Sequence, residues 1–195
     1  MQAFSADGKH VLLLEMQQLP SNLHYRVVAV DRVLVSEPKL AKCVVEVELA
    51  APYKVKRLGC LPGGERSLGC VLSPRGAWLG CQTMKELAEL DPRSTTTING
   101  KTVHDHKQRY RVRTMEAATG KIGIDLTDPQ LGFPSAISDD GVLVLHDQGL
   151  ATVTRDGKTH ELPGTEAATL FSWFHSPTEL VTESGGAIGV VRLNR

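Results

Sequence analysis

Three times along the chain, and more weakly a fourth, a short apolar segment runs into a Ser-containing turn and out again into a second apolar segment. The copies are Phe4-Ser5-Ala6-Asp7-Gly8-Lys9 before Val11 to Leu14, Val71-Leu72-Ser73-Pro74-Arg75-Gly76 before Ala77 to Leu79, and Ala136-Ile137-Ser138-Asp139-Asp140-Gly141 before Val142 to Leu145. The fourth, Phe174-His175-Ser176-Pro177-Thr178-Glu179 before Leu180-Val181, has no glycine. Ser, Asp and Pro set up a chain reversal and Gly accepts the positive φ that completes it, so each copy predicts two antiparallel strands, a and b.

Each copy is followed by a second alternating hairpin, c and d. The first has Cys43 to Leu49 and Tyr53 to Leu58, the second Tyr110 to Met115 and Ile122 to Leu126, and the third Leu150 to Thr154 and Thr159 to Leu162. The fourth has only Ala187 to Leu193. The repeating unit is therefore four antiparallel strands, with strand d absent from the last copy. The turns are unevenly spaced: Gly8, Gly76, Gly141 and Thr178 lie 68, 65 and 37 residues apart. A four-stranded repeat needs about 40 to 45 residues, so the first two units carry insertions, both between b and c. In the first, Tyr25 to Val30 and Val33 to Val35 read as two short strands. In the second, Thr83-Met84-Lys85-Glu86 has capping-box spacing and predicts one or two helical turns ending at Asp91-Pro92. Beyond it, Thr95 to Ile98 and Lys101 to His104 flank Asn99-Gly100, a strong two-residue hairpin signal.

This pattern resembles the β-propeller superfamily, in particular its WD40-like and TolB-like blades, whose a and b strands are joined by a Ser-Pro-Asp-Gly turn. The resemblance implies an all-β fold of antiparallel four-stranded blades in a small or partial propeller. It divides the single domain 1–195 into about four blades, near 1–66, 67–130, 131–165 and 166–195, with the two b-c insertions at corresponding corners. Either the N-terminal residues supply the missing d strand and close the ring, or another copy or another chain completes a partial propeller.

Charge narrows the function. The 22 Lys and Arg residues balance 22 Asp and Glu residues, and 41% of the chain is hydrophobic. A non-specific nucleic-acid or anionic-membrane binder carries a basic excess that is missing here, and aromatics at 5% make poor stacking platforms. No secretory signal or membrane-spanning stretch is legible, so a cytoplasmic location is expected. Cys43, Cys60, Cys70 and Cys81 form no Cys-x-x-Cys pair, which argues against structural zinc. Two disulfides can form if the protein is exported, but without a signal buried reduced thiols are the expectation.

Few constellations carry chemistry. His104 and His106 alternate around Asp105 and point to one side of a strand, where they can ligate a metal with a third group, or simply end a solvent-facing hairpin. Arg109, Arg111 and Arg113, with Lys107 in line, share one strand face. They can dock an acidic protein segment, or pair with neighbouring acids on an exposed outer strand. No Gly-x-Ser-x-Gly elbow occurs, and Gly59-Cys60-Leu61-Pro62-Gly63-Gly64 has neither the Lys nor the helix of a phosphate loop. The Asp pairs fall in turns, and Trp78, Trp173, Phe171 and Phe174 are expected in the core. The expectation is a non-catalytic recognition or scaffold module of a multiprotein assembly, with a protein partner or self-association, no cofactor, no nucleic acid and no membrane. The competing reading is a propeller hydrolase or lyase with a central metal or polar site, or an accessory propeller of a larger enzyme.

Overall fold

The computed structural model describes residues 2–4, 10–17, 41–48, 50, 54–62, 65–127, 132–166, 172–184 and 186–193. The chain is all-β, with no helix among the described residues, and hence none long and apolar enough to cross a membrane. Its strands fall into four antiparallel meanders. The first sheet holds β1 (Gln2–Phe4), β2 (His10–Gln17), β3 (Ala41–Glu48) and β4 (Val55–Leu61). The second holds β5 (Arg66–Leu72), β6 (Trp78–Ile98), β7 (Lys101–Glu116) and β8 (Ile122–Leu126). The third holds β9 (Phe133–Ile137), β10 (Leu143–His146), β11 (Leu150–Val153) and β12 (Thr159–Leu162). Among the described residues the fourth has β13 (Ser172–Ser176), β14 (Glu179–Ser184) and β15 (Ala187–Arg192). In every sheet the strands neighbour one another in chain order.

The repeated turns build equivalent corners. The Gly76 amide donates to the Ser73 carbonyl at 2.8 Å and that of Gly141 to the Ser138 carbonyl at 3.0 Å, with φ of 70° and 85°. Each serine hydroxyl then accepts an amide from the outgoing strand, Trp78 at 3.0 Å in one case and Val142 at 3.0 Å in the other. A side chain at Gly141 would meet the Trp78 ring at 2.9 Å, so this glycine serves both the turn and the close approach of an aromatic from the preceding sheet. Arg155 lies over the same ring, 4.6 Å from its centroid. The two turns also touch: the Arg75 amide donates to the Asp139 carboxylate at 2.9 Å. The corresponding turn at Ser5 to Lys9, the inserted strands of Tyr25 to Val35 and Phe171 lie outside the described residues.

Alternation gives each inner sheet two apolar faces, and the sheets pack in series. Val44 and Leu61 of the first sheet meet Leu79, Cys81 and Met115 of the second. Trp78, Val112 and Ile124, on the other face of the second, meet Ile137, Leu143 and Val153 of the third. Ala136, Val144 and Leu150 then meet Phe174, Leu180 and Leu193 in the last interface. Among the described residues no core cluster joins the first sheet to the fourth, and no closed ring forms. β1 is paired with β2 in the first sheet, so the described N-terminal strand does not complete the fourth.

Three expectations are corrected. The helix over Thr83 to Leu90 does not form: β6 is a strand from Trp78 to Ile98, paired with β7 at both ends and, through two register shifts, at Leu90 between them. The cysteines are not reduced thiols. Cys43 bonds Cys60 and Cys70 bonds Cys81, each pair directly opposed on neighbouring strands, with Cα atoms 4.0 and 4.1 Å apart. Trp173 is not in the core: it is 47% exposed on the face of the fourth sheet that points away from the third, because alternation gives the inward position to Phe174.

Candidate functional site

The second insertion becomes a two-stranded arm. β5 follows β6 only as far as the pair Arg66 and Met84, and β8 follows β7 only from the pair Val112 and Leu126. Beyond Met84 and before Val112 the ribbon has no third strand among the described residues, and most of its residues are exposed. It closes at Asn99-Gly100, where both residues take positive φ, 50° and 74°, as a two-residue hairpin turn requires. A lone hairpin is marginal in water, so side chains supply what a third strand would. The Asp105 carboxylate accepts the Ser94 hydroxyl at 2.7 Å and the Thr96 hydroxyl at 2.9 Å, and Lys107 pairs with Glu89 at 2.5 Å. Register shifts between Glu86 and Leu90 and between Leu90 and Thr95 place extra residues on β6 and leave Leu90 51% exposed. Val103, on the opposite face, is 41% exposed.

His104 and His106 both lie exposed on the arm, opposite Thr95 and Leu90. Their shared side offers no further ligand: no group of three or more His, Cys, Asp or Glu side chains among the described residues is placed to hold a metal ion.

The basic stripe divides. β7 lies between β6 and β8 from Val112 on, and before it, where Lys107, Arg109 and Arg111 sit, it is an outer strand among the described residues. Arg113 is buried, 4% exposed, with its Nη2 donating to Glu65 at 2.8 Å. Glu65, on the connection from the first sheet to the second, also accepts the Thr83 hydroxyl at 2.5 Å. Arg111 grips Asp125 of β8 through two bonds of 2.5 Å and approaches Glu65 at 3.8 Å. The hydrogen bonds it donates to Asp125 outweigh partial burial and raise the guanidinium's pKa above its ordinary value. Glu65 thus clasps the linker to the middle of the second sheet. Arg109 is exposed on the arm opposite Lys85 and has no ion-pair partner among the described residues. This clasp is invisible in sequence, because Glu65 sits in a turn-rich linker 48 residues from Arg113.

Two cavities are lined by described residues. One, of about 350 Å³, lies where the first strands of the last three sheets converge; Ser73, Ser135, Ser172 and Phe174 are among its walls, and it has no ionisable side chain. The other, of about 500 Å³, opens at one end of the third sheet beside Asp147, Glu161 and Glu166. Together the fold and these sites define a class: an all-β protein of serially packed antiparallel sheets carrying an extended hairpin arm. No family model and no curated protein matches the chain.

Proposed function

We propose that this protein is a non-catalytic recognition or scaffold module of propeller-like blades, and that the β6–β7 arm is its contact with a protein partner. The arm carries this reading: it is long, exposes both of its faces and buries none of the three core clusters. A chain gains nothing in stability from such a ribbon, whose exposed backbone and scattered apolar side chains suit a partner instead. The charge on residues 85–109 is nearly balanced, so recognition is local, through Leu90, Val103, Arg109 and the strand edges, and not through a broad field. The competing reading, an enzyme with a central polar site, finds little support in an inner cavity without ionisable walls. The cytoplasmic expectation rested on a missing signal and went with reduced thiols. Two disulfides support an oxidising compartment instead.

Point substitutions on the arm test this reading. Leu90→Asp and Val103→Asp each place a charge on an exposed position, so stability measured by urea denaturation is expected to change by less than about 0.5 kcal/mol. Partner binding is expected to fall about tenfold or more, as burying a charge at an interface costs upwards of ~1.4 kcal/mol. Binding unchanged in both variants would remove the arm as the contact surface.

A further inference from the structure

Among the described residues the fourth sheet has three strands where the others have four, and its last strand is regular enough to pair on both sides. β15 keeps unbroken register with β14 from the pair Glu179 and Arg192 to the pair Ser184 and Ala187. Among the described residues it pairs with no other strand. Edge strands are normally protected by proline, lysine or a bulge. β15, Ala-Ile-Gly-Val-Val-Arg, has none of these, and Ile188 and Val190 are 72% and 60% exposed.

The direction of its free backbone groups can be read. The Leu193 amide donates to the Thr178 carbonyl at 2.8 Å, on the β14 side. Successive residues of an antiparallel ladder present their N–H and C=O to opposite sides. Val191, Gly189 and Ala187 therefore bond β14, while Ile188, Val190 and Arg192 present theirs to the open edge. We propose that a second copy of this chain supplies the missing strand, its β15 pairing antiparallel with this one about a two-fold axis at Val190.

The register is self-complementary. Centred on Val190, it sets Val190 against its own copy and Ile188 against Arg192 of the second copy, so every outward amide meets an outward carbonyl. A shift of two residues strands Ile188 or Arg192. The row Trp173, Val181 and Val190, in cross-strand register on the outer face, then continues through the axis into its copy. The aliphatic stem of Arg192 covers Ile188. An isologous contact of this kind closes at two copies, so the open edge is used once and does not propagate. The inference does not rest on the arm, which leaves from the second sheet.

The test is sedimentation velocity on the full chain from about 1 to 200 µM, the range of weak specific association. The wild-type protein is expected to pass from monomer to a species of twice its mass. In Val190→Pro, an edge substitution at a position whose amide β14 does not use, the dissociation constant is expected to rise about 100-fold, because each copy loses a bond worth roughly tenfold. Should that variant lose its far-ultraviolet dichroism, Ile188→Lys is expected to give the same loss of dimer in a folded protein. The chain has no free cysteine, so the register can be read by oxidation. Val190→Cys is expected to give a covalent dimer on a non-reducing gel, and Ile188→Cys is not, because position 188 faces 192 of the second copy. A wild-type chain that stays monomeric throughout, a dimer unaffected by Val190→Pro and Ile188→Lys, or equal crosslinking at 188 and 190 would overturn the proposal. Arm variants are expected to dimerise like wild type, so failure of the arm reading leaves this result intact.

Discussion

Reducing both disulfides is expected to lower the melting temperature by about 12 to 24 °C. The bridges close loops of 17 and 11 residues, and in the chain-entropy account each removes freedom from the unfolded chain worth about 3 kcal/mol. For a domain of this size 1 kcal/mol corresponds to roughly 2 to 4 °C. The sum is an upper figure, because the bridges lie in adjacent sheets and Cys70 and Cys81 also pack in the core between them. Calorimetry with and without a non-thiol reductant checks it. Replacing Cys70 and Cys81 with Ala is expected to cost more than replacing Cys43 and Cys60, since the first pair also fills part of the interface between the first and second sheets. A melting temperature unmoved by reduction would show that the chain is equally at home in a reducing compartment, and would remove the argument for an oxidising one.

Glu65→Gln is expected to destabilise the fold by about 3 to 5 kcal/mol, the usual cost of leaving one member of a buried pair uncompensated. The Arg113 side chain is 5% exposed and that of Glu65 10%, so neither charge can turn to water without opening the interface between the first two sheets. The Arg113 Nε has no hydrogen-bond partner among the described residues, and so the guanidinium depends all the more on Glu65. Replacing both together, Glu65→Leu with Arg113→Met, is expected to restore most of the loss, since a packed apolar pair often matches a buried ion pair. Urea denaturation of the two single variants and the double, read as a double-mutant cycle, gives the coupling. Asp125→Asn provides the comparison. Its partner Arg111 is one-third exposed, so its loss is expected to stay within about 1 kcal/mol. Additive single losses would mean that Glu65 holds the linker through Thr83 and Arg111 and not through Arg113.

The repeated turns and alternating hairpins carried most of the architecture. Ser73 to Gly76 and Ser138 to Gly141 made the expected corners, Asn99-Gly100 made the expected hairpin, and among the described residues the last sheet has three strands. Long-range pairing was the harder part. Met84 to Leu90 is rich in good helix formers, yet a strand partner 16 residues long outweighed local propensity. The disulfides had a signal that spacing alone hides. Cys70 and Cys81 are equidistant from a turn already identified, as the register pair Leu72 and Leu79 shows, and Cys43 opposes Cys60 across the next hairpin. Trp173 and Phe174 are adjacent, so one of them had to face outward, and period two alone does not say which face has a neighbour. The Arg stripe was legible as a stripe. That Arg113 is spent on a linker carboxylate depends on how the first sheet meets the second, which no local pattern encodes.

Excising the arm separates a role for a partner from a role in the fold. Lys85 and Arg109 are register partners, so joining them through Asn-Gly excises residues 86–108 and leaves a two-residue hairpin. The shortened and full-length proteins are then compared by calorimetry and by quantitative mass spectrometry of the proteins each retains. The account predicts melting temperatures within about 3 °C of each other, as expected for loss of a segment outside the core, together with loss of a specific retained partner. A collapse of thermal stability, or an unchanged set of retained proteins, would contradict it.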